Sequence, residues 1–250
     1  MCITDMTELT NSISNKKLSL SASVSTFLSS MIFSSDEEKD DCIKYLNLKG
    51  ISYHTVLANY IGFDKKNKIE YKKIAVLYKY DKRVRNILYK FLSALEENIR
   101  AFISNIYSNN LNQIKNKTIL KNISNGSSLS KELENLEFSK LLNLSKTLYK
   151  KMSPELKKEL YGNMNEENLD INLDAVRELR NAVSHHRILC VYEEFEECFV
   201  DNQKVDSLIH NIKNLYNLLN PYYQEFFKEQ INNSCNDFKD LLPQKAILII

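Results

Sequence analysis

The sequence predicts an all-α protein, and two observations support that prediction. Only 4 glycines and 3 prolines occur among the 250 residues, whereas β-hairpins, sandwich turns and dinucleotide-binding loops depend on these two residue types. Apolar residues recur in steps of three and four in every long pattern, which is the periodicity of helices with one buried face. We therefore expect no sheet of more than two short strands.

The composition is that of a globular protein and limits where a charged partner can bind. Apolar residues make up 43% of the chain and charged residues 26%, which is sufficient for a hydrophobic core. The 34 basic and 32 acidic side chains leave a net charge of +2, so any nucleic-acid surface must be local. No apolar stretch approaches the roughly 18 residues of a membrane-spanning helix, and we expect no membrane contact.

The cysteines point to a reducing compartment. They are odd in number, widely spaced and free of any C-x-x-C pair, at Cys2, Cys42, Cys190, Cys198 and Cys235. This pattern disfavours both a disulfide framework and a zinc site. Hydroxyl residues interrupt the apolar positions near the N-terminus, which disfavours a secretory signal. We therefore expect a cytoplasmic protein with no metal and no other cofactor.

The chain divides into an arm, a helical domain and a tail. Residues 1–30 are rich in Ser, Thr and Asn and are predicted to be a poorly ordered arm. Residues 31–240 are predicted to form a single helical domain, in which Gly50 separates two short helices and Gly62 closes the second. Residues 241–250 form a tail whose apolar end packs either on the body or on a partner.

The clearest helical pattern lies between residues 69 and 107. Its apolar positions form one stripe over about six turns, at Val84, Leu88, Phe91, Leu95, Ile99, Phe102 and Ile106. Asp81 either caps this helix or marks a kink in it. Further helices are predicted over 129–152, 155–161, 172–190, 205–219 and 222–238, and the polar stretch 109–128 is predicted to be a linker or surface loop.

The predicted 172–190 helix carries a polar constellation opposite its buried stripe. At 100° per residue, Glu178, Asn181 and His185 fall together on the outward face, whereas His186 falls on the buried stripe with Val183. An amide and a carboxylate are thus placed to orient the His185 imidazole. Arg180 lies about 140° from His185. The two side chains meet only if the arginine swings round, the helix bends or a second copy contributes.

The same segment resembles a known family. Leu179-Arg180-Asn181-Ala182-Val183-Ser184-His185-His186 is similar to the Leu-Arg-Asn-x-x-Ala/Ser-His-His signature of the abortive-infection (Abi) family, AbiD/AbiF-like, in the HEPN superfamily. The stretches from Tyr78 to Arg85, from Ala94 to Arg100 and from Leu136 to Leu141 resemble further segments of that family in the same order. The resemblance covers about residues 30 to 220, and it implies a HEPN-like helical bundle with an N-terminal helical extension.

The resemblance also implies an activity. HEPN nucleases carry an Arg-x4-6-His motif and dimerise through it, which implies a homodimer that cleaves RNA without a metal. On this hypothesis His185 is the acid or base, Arg180 holds the phosphate and Asn181 orients the imidazole. Two alternatives remain open: a non-catalytic protein that binds RNA, including a small RNA, and a toxin-like protein silenced by an RNA or protein inhibitor.

Basic side chains outside the motif are candidates for RNA contact. They are Lys82, Arg83, Arg85 and Arg187. Basic residues at such spacings also occur on solvated helix faces that bind nothing. The sequence leaves both interpretations open.

Overall fold

The computed structural model describes residues 22–62, 68–162 and 164–250. The protein is mostly helical, as its composition predicts, and two short two-stranded sheets accompany the helices. The chain folds as two compact units, Met1–Ala75 and Val76–Ile250. Within the described ranges, no helix is both long enough and apolar enough to cross a membrane.

The first unit contains three helices among its described residues. They are α1 (Ala22–Ser29), α2 (Asp36–Lys49) and α3 (Ile51–Ile61), and strand β1 (Met31–Ile32) pairs in parallel with β2 (Ile69–Glu70). Gly50 lies between α2 and α3, and Gly62 ends α3 in the left-handed conformation, which confirms both predicted helix ends. Helix α1 corrects the predicted arm, since residues 22–29 are helical; residues 1–21 lie outside the described ranges.

Helix α4 (Tyr71–Tyr107) is continuous over 37 residues. Asp81 therefore neither caps the helix nor breaks it. All the apolar stripe positions predicted from the sequence are buried except Ile106, which is partly exposed. The stripe belongs to the core of the second unit, where Phe91 packs against Phe227 with ring centres 4.7 Å apart.

The segment after α4 differs from its prediction in two places: residues 117–124 of the predicted linker 109–128 are helical, and the helix predicted over 129–152 is interrupted. Helices α5 (Lys117–Ser124), α6 (Leu129–Glu134), α7 (Phe138–Tyr149) and α8 (Pro154–Tyr161) follow in order, with a 3₁₀ turn at Leu111–Gln113. The helix predicted over 129–152 is thus two helices. Arg100 on α4 explains the break: its guanidinium donates to the carbonyl of Leu133 and, at 3.0 Å, to that of Leu136. These bonds satisfy carbonyls that a continuous helix would have paired with its own amides.

Helix α9 (Glu166–Ser184) carries the motif residues. It begins about two turns before the predicted start, because Asn165 caps it by accepting from the Glu167 amide at 3.0 Å. It also ends before residue 190, at Ser184. A 3₁₀ turn (Leu189–Val191) and an antiparallel hairpin, β3 (Cys198–Val200) with β4 (Gln203–Val205), follow it. The buried Asn172 side chain pairs with both backbone groups of Phe199 and holds the hairpin against α9.

The chain closes with two helices and a tail that packs on the body. Helices α10 (Leu208–Leu218) and α11 (Pro221–Asn232) are both shorter than predicted. The Leu248 amide donates to the Tyr80 hydroxyl at 3.0 Å, and the Ile250 amide donates to Asn232 at 2.8 Å. Of the two placements that the sequence left open for the end of the tail, the structure therefore shows packing on the body of the protein.

Candidate functional site

The motif residues lie where α9 ends. His185 is the C-cap, the His186 amide donates to the Val183 carbonyl at 3.2 Å, and the Arg187 amide donates to the Ala182 carbonyl at 3.0 Å. This is the bond pattern of a Schellman motif. His186 occupies the left-handed position with φ of 55°, where glycine is the usual residue. Three polar side chains, His185, His186 and Arg187, are therefore exposed side by side at the end of the helix.

His186 is not buried, which corrects the prediction from the helical wheel. The wheel assumed a helix that continues to residue 190, but the left-handed residue turns the chain out of helical phase. Ile188 and Leu189 are buried directly after the turn, so the chain reverses in order to place these two side chains in the core. His185 is exposed, as its helical phase predicts. Its imidazole forms no hydrogen bond with any residue that the structure describes.

Asn181 and Glu178 contact each other rather than His185. The Asn181 amide group donates to Glu178 Oε2 at 3.4 Å, and the Tyr192 hydroxyl donates to Glu178 Oε1 at 2.7 Å. Burial and the nearby Glu178 carboxylate raise the pKa of Tyr192 to about 12, which keeps its proton in place. The sequence alone did not identify Tyr192. No local pattern predicts that the segment after α9 folds back and places the Tyr192 hydroxyl against Glu178 on that helix.

Arg180 is a half-buried cation without a carboxylate partner among the described residues. Its guanidinium carbon lies 5.9 Å from the centre of the Phe138 ring on α7. One turn earlier on α9, by contrast, Arg177 pairs with Asp174 at 3.6 Å. Arg180 and His185 are five positions apart, which keeps them about 140° apart around α9. The guanidinium is thus available for an anion from outside the chain.

Arg85 is not a surface residue, which corrects its assignment as an RNA contact. Its side chain pairs with Asp81 at 2.5 Å, and the two residues are 7% and 2% exposed. Burial raises the pKa of Asp81 above its ordinary value, against the opposing effect of the Arg85 charge. Asp81 also accepts from the Cys190 amide at 3.2 Å. Helix α4 therefore anchors the loop that follows the motif.

The other predicted RNA contacts differ in the exposure of their side chains and in the partners that these side chains already have. Lys82 and Arg187 are exposed. Arg83 is half-buried: it pairs with Asp237 at 2.8 Å, donates to the Ser234 carbonyl and lies 4.4 Å from the Phe238 ring centre. Lys82 and Arg187 thus keep the exposure that binding to a phosphate requires, whereas Arg83 is partly committed to the fold.

Comparison of the chain with protein-family models, with curated proteins and with solved structures found no match. Among the described residues, no three His, Cys, Asp or Glu side chains are grouped so that they would hold a metal ion. The functional assignment therefore depends on the residues themselves and on the motif that they carry.

Proposed function

We propose that this protein is a metal-independent endoribonuclease of the HEPN type that acts in the cytoplasm as an antiphage effector of abortive infection. The observation that carries the proposal is the Arg180 guanidinium on α9, which has no carboxylate partner among the described residues, together with the exposed imidazole of His185, the C-cap of the same helix. A half-buried guanidinium without a carboxylate is suited to a phosphate, which it contacts through two parallel hydrogen bonds.

The reaction needs only these two groups and the RNA itself. His185 takes the proton of a ribose 2′-hydroxyl, the 2′-oxygen attacks the adjacent phosphorus, and the bond to the 5′-oxygen breaks. A protonated imidazole then returns a proton to the 5′-oxygen, which leaves as a hydroxyl. Arg180 stabilises the charge that develops on the phosphate oxygens. The products are a 2′,3′-cyclic phosphate and a 5′-hydroxyl, and the dependence on the 2′-hydroxyl restricts the substrate to RNA.

A contact between one segment that resembles the Abi family and the loop that follows another supports the proposal. The segment from Tyr78 to Arg85 and the Arg-Asn…His-His segment are about a hundred residues apart in the sequence. The first contributes Asp81, which accepts from the Cys190 amide in the loop after the second. A HEPN-like arrangement of the bundle, with two copies contributing to a paired site, is part of this proposal.

Cleavage of total RNA by the wild type and by single variants tests this function. We expect fragments with cyclic phosphate ends in the presence of a chelator, and no cleavage of RNA that is 2′-O-methylated throughout. His185→Ala and Arg180→Lys should each lower the rate, the first by about 10²- to 10⁴-fold. Expression of the wild type should arrest growth, and His185→Ala should abolish that arrest.

Matched controls separate the site from general effects of charge. Arg177→Ala removes a cation that lies on the same helix and already pairs with Asp174. His210→Ala removes a histidine that is hydrogen-bonded to Ser207. Both should cleave at the wild-type rate. If neither the wild type nor His185→Ala cleaves RNA while both bind it, the protein is a non-catalytic RNA-binding protein instead.

A further inference from the structure

A basic groove runs along α4 on the side opposite to Asp81. It has a volume of about 390 Å³, and its lining includes Lys79, Lys82, Arg83, Asn86, Lys90 and Gln230. Among the residues that the structure describes, no carboxylate lines this groove. At 100° per residue, Asp81 and Arg85 point to the other side of α4, toward the loop after the motif. The groove is therefore separate from Arg180 and His185.

The cations of the groove are arranged in a row. Positions 79, 82, 83, 86 and 90 follow helical spacing and cover about 16 Å of the α4 axis. Lys79 and Lys82 form no ion pair with any residue that the structure describes, whereas Arg83 pairs with Asp237. The Lys90 ammonium lies 4.2 Å from the centre of the Phe226 ring. In a chain with a net charge of only +2, Lys79, Lys82 and Lys90 are a local concentration of positive charge with no carboxylate partner among the described residues.

Exposed aromatic rings continue the groove beyond Lys90. Tyr222, Phe226 and Gln230 are four residues apart on α11 and so share one face of that helix. Lys90 contacts Phe226 while Arg83 contacts Ser234, so α4 and α11 run in opposite directions along the groove. Tyr222 is 85% exposed and Phe226 is 45% exposed. Tyr222 also meets Tyr223 edge-on at 5.4 Å, which gives the end of the groove a pair of rings.

We propose that this groove binds a single strand of RNA, with phosphates along Lys79, Lys82 and Lys90 and a base stacked on Tyr222. A row of cations that leads to exposed aromatic rings is the combination by which proteins hold single-stranded nucleic acid. The amides of Asn86 and Gln230 add hydrogen-bonding groups to the groove between Lys82 and Lys90. An acidic protein would also be attracted to the lysines, but its carboxylates would not stack on the exposed Tyr222 ring as a nucleobase does. RNA is chosen over DNA because of the proposed function, whereas binding itself does not require cleavage.

Binding of a fluorescent single-stranded oligouridine, 2′-O-methylated throughout, tests the groove by fluorescence anisotropy at several salt concentrations. Such an RNA has no free 2′-hydroxyl, so binding is measured whether or not the protein is a nuclease. The variant Lys79→Gln/Lys82→Gln/Lys90→Gln should bind at least about tenfold more weakly. The slope of log K against log salt should fall by about 0.7 for each phosphate that the variant no longer neutralises.

Tyr222 provides an independent measurement on the same groove. Tyr222→Ala should weaken binding by about 5- to 100-fold without a change in the salt slope, because stacking releases no counterions. Tyr222→Phe keeps the ring and should bind like the wild type. Melting followed by circular dichroism checks that each variant is folded.

A second triple variant is the matched control. Lys121→Gln/Lys131→Gln/Lys140→Gln makes the same change in net charge at exposed positions on α5, α6 and α7. It should keep the wild-type affinity and salt slope. Equal reductions of affinity in the two triple variants, or an unchanged affinity in Tyr222→Ala, would overturn the proposal that this groove binds RNA. Competition by polyglutamate as strong as that by RNA would show an acidic protein partner instead.

The cleavage and binding experiments test the proposed nuclease activity and the proposed RNA-binding groove independently of each other. If the wild type cuts no RNA but oligouridine binding depends on the groove residues, the proposed nuclease activity is wrong and the proposal of an RNA-binding groove is supported. If the wild type cuts RNA but the groove variants bind and cut normally, the nuclease stands and the groove does not hold RNA.

Discussion

At the scale of single residues, the left-handed backbone at His186 exposes that histidine beside His185. The left-handed conformation brings Cβ close to the following carbonyl oxygen, and the structure keeps a histidine there although glycine avoids that clash. Because the side chain is exposed, its removal leaves no cavity.

We therefore expect His186→Gly to raise the free energy of unfolding by up to about 1 kcal/mol, and His186→Val to lower it. His186→Ala should change stability little through altered packing, contrary to what the helical wheel alone predicts. Urea denaturation of the three variants measures these differences. A clear loss of stability in His186→Gly would show that the imidazole makes a stabilising contact.

His54 in the first unit is a buried histidine with a defined effect of pH. Its Nδ1–H donates to the Gly50 carbonyl at 3.0 Å, and its ring stacks against Tyr71 and meets Phe27 edge-on. Burial lowers the pKa of His54 below its ordinary value of about 6.5, against the opposing effect of that hydrogen bond.

The unfolded chain therefore binds a proton at His54 more readily than the folded chain does. The stability that neutral His54 contributes is complete above about pH 6.5 and is lost as the pH falls below that value. We expect the wild type to lose more unfolding free energy between pH 7 and about pH 5 than His54→Leu does. An equal pH dependence in His54→Leu and the wild type would contradict the assignment.

At the scale of elements, the Asp81–Arg85 pair on α4 holds the loop after α9. Asp81 accepts from the Arg85 guanidinium and from the Cys190 amide at the same time. Removal of one member of a buried ion pair costs more than replacement of both, because the remaining charge stays buried opposite an apolar group.

Asp81→Leu should accordingly lower the free energy of unfolding by about 3 to 5 kcal/mol. The double variant Asp81→Leu/Arg85→Met should be more stable than Asp81→Leu alone. A double-mutant cycle by chemical denaturation, with Arg85→Met as the fourth member, measures the coupling between the two residues. Additive losses of stability would show that the pair contributes nothing as a pair.

At the scale of the whole molecule, Arg180 and His185 lie about 140° apart around α9, and a second copy is one way to bring the two side chains together. We predict a two-fold dimer in which Arg180 of one copy faces His185 of the other, since an isologous contact around α9 brings the motif to its own copy. Light scattering at micromolar concentration measures the mass.

Mixing two inactive variants tests the shared site directly. If each site takes its arginine and its histidine from different copies, Arg180→Ala mixed with His185→Ala forms heterodimers with one intact site. Random exchange should then restore up to about a quarter of the wild-type cleavage. No recovery after exchange, with heterodimers demonstrated, would place both residues of each site in one copy.

Much of the helical architecture follows from local patterns along the chain. The scarcity of glycine and proline, the apolar steps of three and four, and the helix ends at Gly50 and Gly62 depend only on neighbouring residues. The long stripe of α4 and the exposure of His185 were predictable for the same reason. The nuclease assignment of the motif remains a prediction from resemblance.

Helix ends that depend on distant partners were decided by tertiary structure. Arg100 takes up carbonyls at the break between α6 and α7, and Asp81 holds the amide of Cys190 beyond the end of α9. The residues in each of these hydrogen bonds are more than thirty positions apart, so no periodicity contains them. The same applies to the burial of Arg85 and to the groove between α4 and α11. A sequence determines where helices are favourable, but packing between distant segments determines where they stop and which charges remain exposed.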